Sequence, residues 1–128
     1  MQIHQSAEDY LETILMLNQR MGRVRSIDVV NELGYTKASV SIAMKKLREN
    51  GYIAVDGEGN LTLLEPGREI AECIYSRHRL LTHFFVQLGV DEEVAAEDAC
   101  KAEHILSEQT LEKIREYALL HDAQDSVK

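Results

Sequence analysis

Apolar residues recur at helical spacing along most of this chain. Tyr10, Ile14, Leu17 and Met21 fall on one stripe, Ser6 and Asp9 suit a helix start, and Gly22 suits its stop, so a helix is predicted over roughly 7–21. Ser26 can cap a short second helix carrying Ile27, Val29, Val30 and Leu33, closed by Gly34. Thr36 can cap a third, whose Val40, Ala43, Met44 and Leu47 form one stripe up to Asn50-Gly51. Two helices joined by a short glycine-containing turn read as a helix-turn-helix. Tyr52–Val55 and Leu61–Leu64 then flank Asp56-Gly57-Glu58-Gly59-Asn60, the signature of a β-hairpin. Pro66 suits the first position of a fourth helix with Ile70, Cys73, Ile74, Leu81, Phe84, Phe85 and Leu88 on one face. Asp91-Glu92-Glu93 opens a fifth, and Ser107 caps a sixth bearing Leu111, Ile114 and Ala118, with about ten residues unstructured after it.

The predicted fold is mainly α: an N-terminal winged helix-turn-helix of three helices and a two-stranded wing over residues 1–65, then an all-helical lobe over 66–128. A helical lobe of about 60 residues buries too little surface to be secure alone, which points to a homodimer formed through it. No apolar run is long enough for a membrane span, and Met1-Gln2-Ile3-His4-Gln5 lacks the features of a signal peptide. Cys73 and Cys100 lie far apart in a chain without export signals, so reduced thiols and a cytoplasmic location are expected.

Net charge is −8, which argues against indiscriminate polyanion binding, but its distribution is uneven. Arg20 to Arg48 holds seven basic residues against two acidic ones, whereas Ala71 to Lys128 holds twelve acidic against six basic. If helix 3 buries Val40, Ala43, Met44 and Leu47, the opposite face carries small groups and cations. Thr36, Ala38 and Ile42 are then candidates for base edges, with Lys37, Ser39, Ser41 and Lys45 for phosphates. The partner implied is double-stranded DNA; the alternative is a winged helix used for protein contacts. With no arginine on this face, guanine recognition is not expected.

Cys100, Glu103 and His104 fall within roughly a 100° arc of a helix, so three metal-capable side chains converge. The plain alternative is a packed cysteine beside a solvated Glu-His pair. Asp9 and Glu12, three apart, lie opposite the apolar stripe of helix 1 and must meet solvent or the second lobe. His78 sits at the edge of the fourth helix's stripe; Arg77 lies within it and calls for a buried carboxylate partner.

Four segments resemble the diphtheria-toxin-repressor family, particularly its compact manganese-transport-regulator branch. They are Glu8-Asp9-Tyr10-Leu11-Glu12, Tyr35-Thr36-Lys37-Ala38-Ser39-Val40-Ser41, Arg77-His78 before Leu80-Leu81, and Cys100-Lys101-Ala102-Glu103-His104. The resemblance implies a metal-activated homodimeric repressor that binds a palindromic operator. It places Asp9, Glu12, His78, Glu103 and His104 at metal-ligand positions. Cys100 stands where the manganese branch usually has glutamate and the iron branch cysteine, while Asp9 is manganese-like. One soft thiolate among hard and intermediate donors favours Mn(II) or Fe(II) over Zn(II). A hydrolytic enzyme is disfavoured, since no HExxH motif occurs and a Cys100–His104 pair lacks an orienting or oxyanion group. A metal-independent winged-helix regulator is the serious alternative.

Overall fold

The computed structural model describes residues 5–127, with side chains to Asp122; the leader reading at Met1–His4 lies outside the described residues. The order is α1 (Gln5–Met21), α2 (Ser26–Leu33), α3 (Lys37–Glu49), β1 (Ile53–Val55), β2 (Leu61–Leu63), α4 (Glu65–Gln87), α5 (Glu92–Ala102) and α6 (Glu108–Val127). The chain divides into two compact units between Cys73 and Ile74, within α4.

In the first unit, Leu11, Ile14, Val24, Val29 and Val40 are fully buried, each contributing about 1.5–3 kcal/mol of apolar burial. The turn between α2 and α3 is built by Gly34, whose φ of 72° closes α2 in the left-handed region, and by Thr36, whose Oγ1 accepts the Ser39 N–H at 3.1 Å. The wing pairs Ile53 with Leu63 and Val55 with Leu61, antiparallel. A strand partner missed by the pattern joins it: the Leu61 N–H donates to the Val24 carbonyl at 2.7 Å, and Arg25 bridges Asn60. A single bridging residue leaves no alternating run to detect.

Gly67, in the first turn of α4, approaches the wing closely: a Cβ there would stand 2.2 Å from the Tyr52 carbonyl oxygen.

The local expectations need correction at several points. Ser6 lies inside α1, which already includes Gln5, so it does not cap the helix. At α2 the cap is Arg25, not Ser26; Asp28 accepts the Arg25 N–H at 2.9 Å and takes the capping role from within the first turn. Cys73 and Leu88 are exposed and leave the buried stripe of α4. The helix α6 continues to Val127 where an unstructured tail was expected.

In the second unit, Leu81 of α4, Ala99 of α5 and Leu111 of α6 form the core, with Leu80, Phe85, Leu106 and Ile114 against it. Ser107 caps α6 as expected, its Oγ accepting the Thr110 N–H at 3.1 Å. Among the described residues, no helix is long and apolar enough to cross a membrane.

Candidate metal centre and nucleic-acid interface

In the second unit, four donor residues gather at the end of α5: Cys100, Glu103 and His104, with His78 from α4. Glu103 accepts a helical bond's geometry, its N–H donating to the Ala99 carbonyl at 2.9 Å, and its side chain is fully buried. One carboxylate oxygen, Oε2, lies 3.0 Å from Nδ1 of His78 on α4. The other, Oε1, lies 3.3 Å from Nε2 of His104 but makes no hydrogen bond. The His104 side chain is itself only 2% exposed. A Cys100 Sγ and a Glu103 carboxylate oxygen come within 4.8 Å. The arc expected for Cys100, Glu103 and His104 is only partly helical, because α5 ends at Ala102 and His104 falls in the following turn.

A buried carboxylate oxygen without a hydrogen bond is costly unless something positive completes it. The imidazole nitrogens of His78 and His104, one on each oxygen of the Glu103 carboxylate, and the Cys100 sulfur near that carboxylate form a donor set suited to a divalent transition metal. The geometry of the second unit therefore fits a cation at Glu103.

Arg77 does not find the buried carboxylate expected of it. Its guanidinium instead pairs with the exposed Glu108 and donates to the Glu103 carbonyl at 3.4 Å, holding the turn that carries Glu103 and His104. In the first unit, Asp9 is partly buried and Glu12 only 6% exposed, on the part of α1 that also carries Tyr10.

The residues expected to contact DNA lie at the cap of α3 and along the helix. Thr36, Lys37, Ala38, Ser39, Ser41, Ile42 and Lys45 are all exposed, and Ile42 keeps 58% of its surface open. A branched apolar side chain left in water at the front of a helix with cations beside it suits contact with a thymine methyl. Thr36 is less available than expected: besides capping, its hydroxyl donates to Ser39 Oγ at 2.9 Å.

A winged helix with an exposed cationic second helix, followed by a helical unit with a buried Glu-His cluster, defines a DNA-binding regulator with a metal-binding module. Comparison with known proteins gives the family. Residues 2–61 match the N-terminal DNA-binding domain of iron-dependent repressors, and residues 64–120 match the metal-binding and dimerisation domain of the same repressors. The chain is 32% identical over 123 residues to the regulator MntR of Bacillus subtilis, covering 96% of this chain and 87% of that one. It is 36% identical over 113 residues to an uncharacterised helix-turn-helix-type regulator of Methanocaldococcus jannaschii, covering 87% and 90%. A solved manganese-dependent transcriptional repressor complexed with manganese superposes with a TM-score of 0.80 at 28% identity over 88% of this chain, which spans 52% of that longer one. The chain belongs to the diphtheria-toxin-repressor family of metal-dependent regulators, in its manganese-regulator branch.

Proposed function

We propose that this chain is a metal-dependent transcriptional repressor of metal-ion homeostasis, binding operator DNA as a homodimer in the cytoplasm and activated by Mn(II) or Fe(II). The observation that carries the metal half is Glu103, a fully buried carboxylate between His78 and His104 with one oxygen lacking a hydrogen bond. The exposed small, apolar and cationic residues of α3 support the DNA half.

The ligand set is Asp9, Glu12, His78, Cys100, Glu103 and His104. For Asp9 and Glu12 the support is the family-like Glu8-Asp9-Tyr10-Leu11-Glu12 segment. Metal can raise operator affinity only by as much as it favours the DNA-binding state over the other, since a ligand shifts an equilibrium only by its differential affinity for the two states. For the homodimer, the support is apolar surface on the helical unit: Leu88, Ile105, Leu119 and Leu120 are each at least 60% exposed. A palindromic operator follows from two-fold symmetry.

Operator binding by the wild-type chain, prepared anaerobically and freed of metal, tests the reading. Affinity should rise on restoring Mn(II) or Fe(II) and fall again with chelator, and Asp9→Ala should lose the response while remaining dimeric. Equal operator binding in chelator would leave the metal-independent regulator in its place.

A further inference from the structure

Beside the base-reading row of α3 lies a hollow of about 260 Å³, lined by Ser26, Ser41, Met44, Lys45, Arg48 and Val55. It is built within the first unit from the start of α2, one side of α3 and the end of β1. Ser41, Lys45 and Arg48 are spaced four and three apart, so their side chains share one stripe of the helix. This stripe adjoins the one that carries Ala38 and Ile42. Its charge is scarcely neutralised from within: Lys45 reaches Glu49 only at 4.0 Å, and among the described residues no ion pair involves Arg48.

We infer that this hollow is a seat for one sugar–phosphate of the DNA backbone, with Arg48 as its principal anchor and Ser26 as a second, neutral donor. The inference rests on the reading of the chain as a DNA-binding protein. Two cations and two hydroxyls supply donors for a phosphodiester, and a planar guanidinium can meet two phosphate oxygens at once. Val55, only partly buried, supplies apolar surface over the buried Met44 that a free inorganic phosphate has no use for and that a deoxyribose can cover. Since Ile42 sits next to Ser41, a base edge at Ile42 and a phosphate in the hollow are contacts to the groove and to one of its walls. Phosphate contacts fix register without reading sequence.

The test uses the full chain, saturated with Mn(II), and a duplex selected by it from a random-sequence pool, compared with an unrelated duplex. Arg48→Gln should weaken both duplexes by about the same factor, on the order of tenfold, and lower the slope of log affinity against log salt by about 0.9. Arg48→Lys should keep the slope. Arg20→Gln removes the same charge from the end of α1 and should change the slope much less. Scanning the selected duplex with neutral methylphosphonate linkages should reveal one linkage per half-site that weakens the wild type but not Arg48→Gln. Because Arg48 is exposed, Gln should leave the melting temperature unchanged; if it does not, Arg48→Lys and Ser26→Glu carry the same linkage scan. Wild type that binds its duplex while Arg48→Gln keeps full affinity and slope would overturn the seat and spare the proposed function. Absence of metal-stimulated binding by the wild type would instead remove the proposed function. Saturable binding of inorganic phosphate alone, read from Ser26 and Ser41 amide shifts at constant ionic strength, would overturn the backbone assignment in favour of a free anion.

Discussion

Tyr10 of α1 meets Tyr35 edge-to-face, with ring centroids 5.9 Å apart and planes at 76°. Tyr10 sits between Asp9 and the buried Glu12 along the helix; Tyr35 immediately precedes Thr36, the cap of α3. Burial, with Tyr35 as the lesser cause, raises the Tyr10 hydroxyl above its ordinary 10.0. The contact thus joins the helix bearing two candidate ligands to the turn that presents α3. Tyr35→Ala should cost about 0.5–1.5 kcal/mol of stability beyond the apolar area lost, as aromatic pairs do. It should also weaken operator binding more than metal binding. Thermal unfolding and paired titrations check both; a variant with unchanged operator affinity would make the contact packing alone.

Glu103 supplies an opposite pair of signs. In chelator, Glu103→Gln should be as stable as wild type or more so, because it replaces a buried carboxylate of which one oxygen makes no hydrogen bond. With metal at a hundred times its Kd, wild type should gain about 2.7 kcal/mol and the variant almost none of it. Melting curves with and without Mn(II) distinguish these outcomes; a variant that keeps the gain would move the cation elsewhere.

Cys100→Glu should shift relative affinity from Fe(II) and Zn(II) toward Mn(II), since a hard donor replaces a soft one. Competition titrations among the three metals measure the ratio. An unchanged ratio would place the thiol outside the coordination sphere.

On α3, Lys45→Ala should weaken binding to all sequences alike and lower the salt slope by about one. Ile42→Ala should relax preference at one base pair per half-site, worth about 1–3 kcal/mol of discrimination at most. Affinity measured over a panel of single-base variants decides this; the reverse assignment would mean that α3 is rotated about its axis in the groove.

The wing turn carries its own pH signature. The backbone N–H and side-chain amide of Asn60, then the Glu58 N–H, donate to the Asp56 carboxylate and hold its pKa below the ordinary 3.8, with Arg23 adding to the effect. A carboxyl whose folded pKa is lowered stabilises fully above its unfolded value and stops doing so as pH falls through the folded one. The amide resonances of Glu58 and Asn60 should therefore titrate with a midpoint below 3.8. Asp56→Ala should destabilise the wing at neutral pH, with the difference from wild type vanishing in that acid range.

Much of this was legible because it is local. Thr36 before a run of apolar residues, Gly34 after one, and Ser107 ahead of Leu111 each announce their role within four residues, and the structure puts them there. Ile42 could be placed in solvent from the angle it makes with Val40 and Met44. What was not legible depends on residues distant in sequence. Arg77 calls for a buried partner when only its own helix is visible, whereas its partner Glu108 lies 31 positions on and is exposed. The depth of Glu103 was equally hidden, since helical spacing gives direction but not what covers the carboxylate. Arg48 reads in the sequence only as charge, because Ser26 and Val55, which give its stripe a concave wall, come from distant segments.

Gly67 illustrates a constraint of another kind. Among the described glycines of positive φ it does not appear, so its backbone is one that every residue can adopt. The demand is for space, set by the Tyr52 carbonyl from across the wing. Were every position of the chain randomised and active clones recovered, position 67 should return glycine while neighbouring helix positions return nearly anything. A scan for left-handed glycines would pass over it, and an alanine introduced to strengthen α4 would force the first turn of the helix away from Tyr52.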